Sequence, residues 1–147
     1  MVEFSPMFAI KIVQVGKMKN GPLAELAQDL LKRLTPYARL EVRIVKELSE
    51  SQTWWNDDSI KILLSEKGKT LDSVAFAHAL TKWSDHGQRS LTFVVAGPHG
   101  FSKEVLAHAD HVLSLSPMTF THEMAYVILL EQLYRAGTIL AGKIYHY

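Results

Sequence analysis

The chain has 147 residues, 48% of them hydrophobic and 21% charged, with a formal net charge of +1. A chain of this length buries roughly 70% of its unfolded surface on folding, enough for one core without covalent staples, so one domain over residues 1–147 is expected. The absence of cysteine excludes disulfides and thiolate metal centres and suits a reducing cytosol. The near-neutral balance lacks the basic excess that marks many nucleic-acid binders.

The opening residues carry Glu3 and no basic run, so no secretory signal is expected, and Met7 is a possible alternative start. Phe8 to Val15 is apolar and β-branched and ends at Gly16, which reads as a strand. Pro22 opens a helix through about Leu34, with Leu23, Leu26, Ala27, Leu30 and Leu31 at helical spacing, and Pro36 stops it. Leu40 to Val45 alternates and reads as a second strand. Leu48 to Asp58 is polar and reads as a loop around Trp54 and Trp55. Ile60 to Leu64 is a third strand, ended by Lys67-Gly68-Lys69.

Asp72 to Trp83 reads as a helix, and Leu91 to Ala96 as a strand apolar enough to be covered on both faces. Gly97-Pro98-His99-Gly100 is a turn, after which Ser102 caps a short helix to about Ala109. Val112 to Leu115 is a short strand. Thr121 to about Gly137 is the last helix, almost apolar all round from Met124 to Leu130, which implies burial on several sides. That apolar run is the longest in the chain and too short to span a membrane. Strands alternating with helices predict an α/β sandwich around a mostly parallel sheet. Ligands bind such sheets beyond the carboxyl ends of their strands, where the turns after Leu64, Ala96 and Leu115 lie.

Each of these turns has an ordinary reading beside a functional one. Gly97 and Gly100 let backbone approach a ligand closely, but Ala96 to Gly100 is not the dinucleotide fingerprint and serves equally as a tight strand-to-helix turn. Leu115-Ser116-Pro117-Met118-Thr119-Phe120 mixes apolar walls with hydroxyls and free amides, which suits an adenine ring; it also suits a plain connection. His122 falls in the first turn of the last helix, where a neutral imidazole is favoured. His108, Asp110 and His111 straddle a helix end and do not have metal-ligand spacing. Trp54 and Trp55 suit base stacking, and core or interface packing more.

Three stretches taken together resemble one family: FVVAGPHGFS at Phe93–Ser102, LSLSPMTFTHEMAYVILLEQLYRA at Leu113–Ala136, and the terminal Ile144-Tyr145-His146-Tyr147. They are similar to the bacterial RlmH (YbeA-type) family of the SPOUT superfamily, and Val15-Gly16-Lys17 and Leu64–Lys69 fit the same pattern. The resemblance implies a SPOUT-type three-layer sandwich with a C-terminal trefoil knot, which periodicity alone does not reveal. It implies a cytoplasmic enzyme that transfers a methyl group from S-adenosylmethionine to N3 of a pseudouridine in 23S large-subunit ribosomal RNA, alone or in the assembled ribosome. It also implies a homodimer in which the second subunit completes the RNA side of the site, with no membrane and no metal.

Carried over by position, the donor contacts are Leu64, Ala96 and the loop Leu115 to Phe120. Transfer to an imide nitrogen needs in-line alignment and removal of a proton, for which His122, Arg135, Tyr145 and His146 are the candidates. The chain departs from the family at Ala96, where glycine is usual, and at Ile144 and Tyr147, which replace a proline and a cation. Thr121-His122 stands for Pro-His, and the segment between the second and third strands is shorter by about a helix. These departures fit an alternative, a SPOUT-fold module that binds RNA or a partner without catalysis. A flavodoxin-like nucleotide binder is a third reading.

Overall fold

Residues 6–48 and 54–144 are described by the computed structural model of the chain, and the strands among them join one five-stranded sheet. In chain order the elements are β1 (Phe8–Val15), α1 (Pro22–Leu34), β2 (Ala38–Val45), β3 (Ile60–Thr70) and α2 (Ser73–Trp83). They continue with β4 (Leu91–Val95), α3 (Lys103–Leu106), β5 (His111–Ser114) and α4 (His122–Leu140). The sheet order is β2-β1-β4-β3-β5, and every neighbouring pair is parallel. All carboxyl ends therefore share one edge of the sheet.

β4 is central and wholly buried, as its apolar sequence implies. Its side chains alternate, as a pleated strand requires. Leu91, Phe93 and Val95 enter the main core, and Val94 enters a smaller cluster with Val13, Leu63, Val105 and Trp54. The main core lies under α1, α2 and α4, with α4 packed against both other helices and reaching β4. α4 is apolar on several sides because Tyr126, Val127, Leu129, Leu130 and Leu133 are all buried. Full burial of a leucine such as Leu129 contributes about 1.5–3 kcal/mol. At the open edge, β2 presents Glu41 and Arg43, ion-paired at 2.8 Å, and charge there discourages pairing with another chain's strand.

Element types and order agree with the sequence reading; the differences are at ends. β2 begins at Ala38, α3 stops at Leu106, β5 runs from His111 to Ser114, and α4 continues to Leu140. The larger difference is β3, which does not end at Leu64. It resumes beyond Lys67-Gly68 and pairs Lys69 and Thr70 with β5.

On the second face, Trp54 is buried among the small cluster, so packing is its role. Trp55 stacks flat on His108 with ring centroids 4.2 Å apart. His111 stacks instead on Trp83, at 4.8 Å. Nearby, Asp57 accepts from Lys11 and Lys61, both at 2.9 Å, and from Ser59. These hydrogen bonds hold the Asp57 carboxyl well below the usual carboxylate range, against the opposing pull of partial burial. Lys61, 5% exposed, is satisfied by that carboxylate and by the carbonyls of Asp57 and Ser59.

Candidate active site at the carboxyl edge of the sheet

Parallel pairing brings the three singled-out turns together. Leu64 stands opposite Val95 of β4 and Leu113 of β5, so Ala96 and Leu115 lie beyond its two neighbours. Leu64 itself is buried, its side chain in the main core. Lys69 also stands opposite Leu113, so Ser65 to Gly68 loop out of the strand between two residues that share one partner. Gly68 lies flat against β5: a Cβ built there would meet the Val112 carbonyl oxygen at 2.6 Å. Gly97 is less tightly constrained, because a Cβ would approach the Val15 side-chain Cγ1 at 3.0 Å, and Gly100 has the positive φ of 69° that closes its turn.

The loop after β5 is held by its own hydroxyls. Ser114 Oγ donates to the Ser116 carbonyl at 2.8 Å, and Ser116 Oγ accepts from the Met118 amide at 3.0 Å. Pro117, Met118, Thr119 and Phe120 are exposed, with Met118 at 74% and Phe120 at 37%.

Below this loop a cleft of about 280 Å³ opens between the starts of α2 and α4's inner face. Leu71, Phe76, Leu115 and Ile128 give it apolar walls, and Asp72, Ser73 and Gln132 give it polar groups. Ser73 Oγ donates to Gln132 Oε1 at 2.7 Å and ties α2 to α4 across it. Apolar walls with a few directed polar groups suit a small organic ligand with a flat apolar part. The sequence reading did not single out Ser73 or Gln132; their signal was the Asp72 cap that starts α2 and the i, i+4 spacing of Ile128 and Gln132.

The proton-handling candidates do not converge within one chain. His122 is the first residue of α4, capped by Thr121, whose hydroxyl accepts from the Met124 amide at 3.2 Å. It stands beside the loop after β5, with Nε2 4.0 Å from Glu123 Oε1. Arg135 lies thirteen residues along the same helix, roughly 20 Å away at 1.5 Å per residue. There it pairs with Glu131 at 2.7 Å, one turn back. That end of α4 faces Tyr37, before β2, at the opposite edge of the sheet. The candidates for proton handling are thus spread along α4, with His122 at its start and Arg135 near its end. Tyr145 and His146 lie outside the described residues. Tyr126, one turn into α4, has its phenol pushed up to about 12 by burial, so it stays protonated at neutral pH.

A second concavity, about 530 Å³, runs between α1 and α4. Its floor is Leu26, Leu30, Met124, Val127 and Ile128, and its rim carries Asp29, Arg33 and Glu131. Leu26 is 46% exposed and Met124 39%.

The site has the position, at the carboxyl ends of a parallel sheet, and the small-residue turns of a group-transfer enzyme. Residues 8–146 match the family model described as "Predicted SPOUT methyltransferase". Proteins named ribosomal RNA large subunit methyltransferase H are similar over nearly their full length. The Kosmotoga olearia protein is 40% identical over 155 residues, covering 94% of this chain and 99% of that one. The Flavobacterium johnsoniae protein is 39% identical, covering 94% and 98%. The chain belongs to the SPOUT methyltransferases and, within them, to the family of ribosomal RNA large subunit methyltransferase H.

Two solved structures share the fold. One is a Haemophilus influenzae protein described as a methylase family member, with TM-score 0.59 and 14% identity over 90% of this chain. The other is a Legionella pneumophila protein solved with S-adenosylmethionine bound, with TM-score 0.53 and 16% identity over 86% of this chain. The chain spans 66% of the length of each.

Proposed function

We propose that the protein transfers the methyl group of S-adenosylmethionine to N3 of a pseudouridine in 23S large-subunit ribosomal RNA, in the cytoplasm, as a homodimer. The observation that carries this reading is the convergence of Leu64, Ala96 and the Leu115–Phe120 loop at one edge of the sheet, in a chain of this family. The cleft fits the donor: its apolar walls suit an adenine, and its polar groups suit a ribose and an amino-acid tail. Gly97 and Gly100 leave room for a close backbone approach at the neighbouring turn after β4. When bound, S-adenosylmethionine supplies an electrophilic methyl on a cationic sulfur, so transfer depends on alignment rather than on a metal.

The chain's own residues orient the donor, and His122 at the start of α4 receives the imide proton. Arg135, with Tyr145 and His146 beyond it, serves the partner's site, because Arg135 is roughly 20 Å from its own donor loops. The apolar groove of α1 and α4 receives the second copy.

The knot belongs to the same reading. α4 follows the edge strand β5 yet packs against both α1 and α2 and reaches the central β4. That return from an edge strand to the centre of the sheet supports the C-terminal trefoil of the proposed reading.

The test is incubation of the purified protein with hypomodified large ribosomal subunits and methyl-labelled donor. Label in 3-methylpseudouridine is the expected outcome. Donor binding without incorporation into RNA would instead favour a binding module that has lost catalysis.

A further inference from the structure

Resting on that reading of the site, we propose that Lys17, Lys19 and Lys46 form the contact that holds the RNA's phosphate backbone beside the donor loops. The chain as a whole is almost neutral, at +1, so attraction for a polyanion must come from where its charges sit. Five of its other thirteen cations are engaged with acids. Lys11 and Lys61 are bound to Asp57, Arg33 to Asp29, Arg43 to Glu41 and Arg135 to Glu131. Lys17, Lys19 and Lys46 are exposed, and among the described residues none has an ion-pair or side-chain hydrogen-bond partner.

These three are also placed together, at the right edge. Gly16, with φ of 82°, turns the chain out of β1, and its amide donates to the Val45 carbonyl at 2.8 Å. That bond puts the exits of β1 and β2 side by side, so Lys17 and Lys46 leave the sheet at the same corner. Met18 packs into the main core, so Lys17 and Lys19 project on either side of an anchored residue. The segment Gly16–Gly21 contains no acid; Glu47, beside Lys46, is the nearest carboxylate in sequence. β1 is paired with β4, and the close approach of Gly97 to Val15 sets this lysine loop against the Ala96–Gly100 turn. A phosphate backbone crossing the lysines would therefore run directly to the methyl donor. Lysine supplies the charge without the fixed fork of arginine, which suits phosphate contacts that position the RNA without reading its sequence.

The test compares the parent with Lys17→Ala/Lys19→Ala and Lys46→Ala, using hypomodified large ribosomal subunits for methylation and large-subunit RNA for binding at rising KCl. Each lost phosphate contact lowers the slope of log affinity against log salt by about 0.7–0.9, so the double variant should lose between one and two units. Its KM for RNA should rise about tenfold, with kcat at saturating RNA and the donor Kd within twofold of the parent. Lys17→Arg/Lys19→Arg should restore the slope, and Lys32→Ala, at the far end of α1, should leave it unchanged. An unaltered salt slope and KM in the double variant overturn the proposal, as does an equal loss of donor affinity. A parent that binds donor but neither binds nor methylates the RNA sinks the functional reading and this one with it.

Discussion

Replacing Gly68 with alanine tests whether the looped-out part of β3 shapes the donor site. Its Cβ would meet the Val112 carbonyl oxygen at 2.6 Å, the Val112 carbon at 2.7 Å and the Leu113 carbon at 2.9 Å. All three are backbone atoms of β5, so no rotamer change relieves the contact. The two strands must part by several tenths of an ångström, and β5 leads straight into Leu115. Overpacking of this kind costs about 1–3 kcal/mol, which lowers the melting temperature of a chain this size by roughly 3–10 °C. The useful comparison is Gly137→Ala, whose Cβ would meet the Tyr37 ring at 2.6 Å. That contact is at the other edge of the sheet. Thermal melts should record losses of similar size for the two variants. Calorimetry with S-adenosylmethionine should find donor affinity reduced about tenfold or more in G68A and nearly unchanged in G137A, since tenfold corresponds to 1.4 kcal/mol of the distortion reaching the site. If G68A melts and binds like the parent, or if both variants lose donor equally, the geometric account of the site is wrong.

Three further outcomes follow from the same physics. Asp57→Ala leaves Lys61 buried without its counter-charge. Because Asp57 is itself half exposed, the loss should be nearer 1–3 kcal/mol than the larger cost of breaking a fully buried pair, and Lys61→Met should cost less; urea titration of both variants checks the order. His111 has its pKa lowered, first by burial and then by Lys69 and Lys82, against the raising effect of Asp110. A histidine less basic folded than unfolded binds fewer protons when folded, so stability should fall as pH drops below the unfolded value near 6.5. His111→Gln should flatten that part of the stability profile; a slope identical to the parent's would exclude this residue. Tyr126→Phe should leave the pH–rate profile between pH 6 and 9 unmoved, since the buried phenol titrates near 12; a displaced profile would assign it a proton-transfer role.

How much of this was legible in the sequence depended on where each feature is determined. α1 was legible to the residue because Pro22 and Pro36 punctuate it locally. The helix caps at Asp72, Ser102 and Thr121 are likewise local, and each accepts a backbone amide. The continuation of β3 was not, because Lys67-Gly68-Lys69 has the composition of a turn, and only contact with β5 makes it a bulge. The cleft was half legible: Leu115 follows its strand, but Ser73 and Gln132 meet from elements fifty-nine residues apart. His122 and Arg135 became candidates through family resemblance, and their roughly 20 Å separation along α4 is plain helix arithmetic.

On the proposed reading, that separation makes dimerisation and catalysis a single requirement. α4 has 19 residues and spans roughly 28 Å, from the donor loops to the far edge of the sheet. One subunit thus holds the proposed donor cleft at one end and Arg135 toward the other. A two-fold pairing that lays the α1–α4 grooves together with the two α4 helices antiparallel brings each end of one helix beside the opposite end of its partner. Met124 lies in that groove near the start of α4, 39% exposed, and Leu26 of α1 faces it at 46%. Leu26→Glu/Met124→Glu introduces like charges on both sides of a self-complementary contact, which costs several kcal/mol on association. Neither residue lines the donor cleft. Light scattering should therefore find monomers that still bind S-adenosylmethionine within about threefold of the parent affinity, while RNA methylation falls below detection. Mixing this variant with one lacking Arg135 should not restore activity, because the first cannot pair. A monomeric variant with full methylation would refute the shared site.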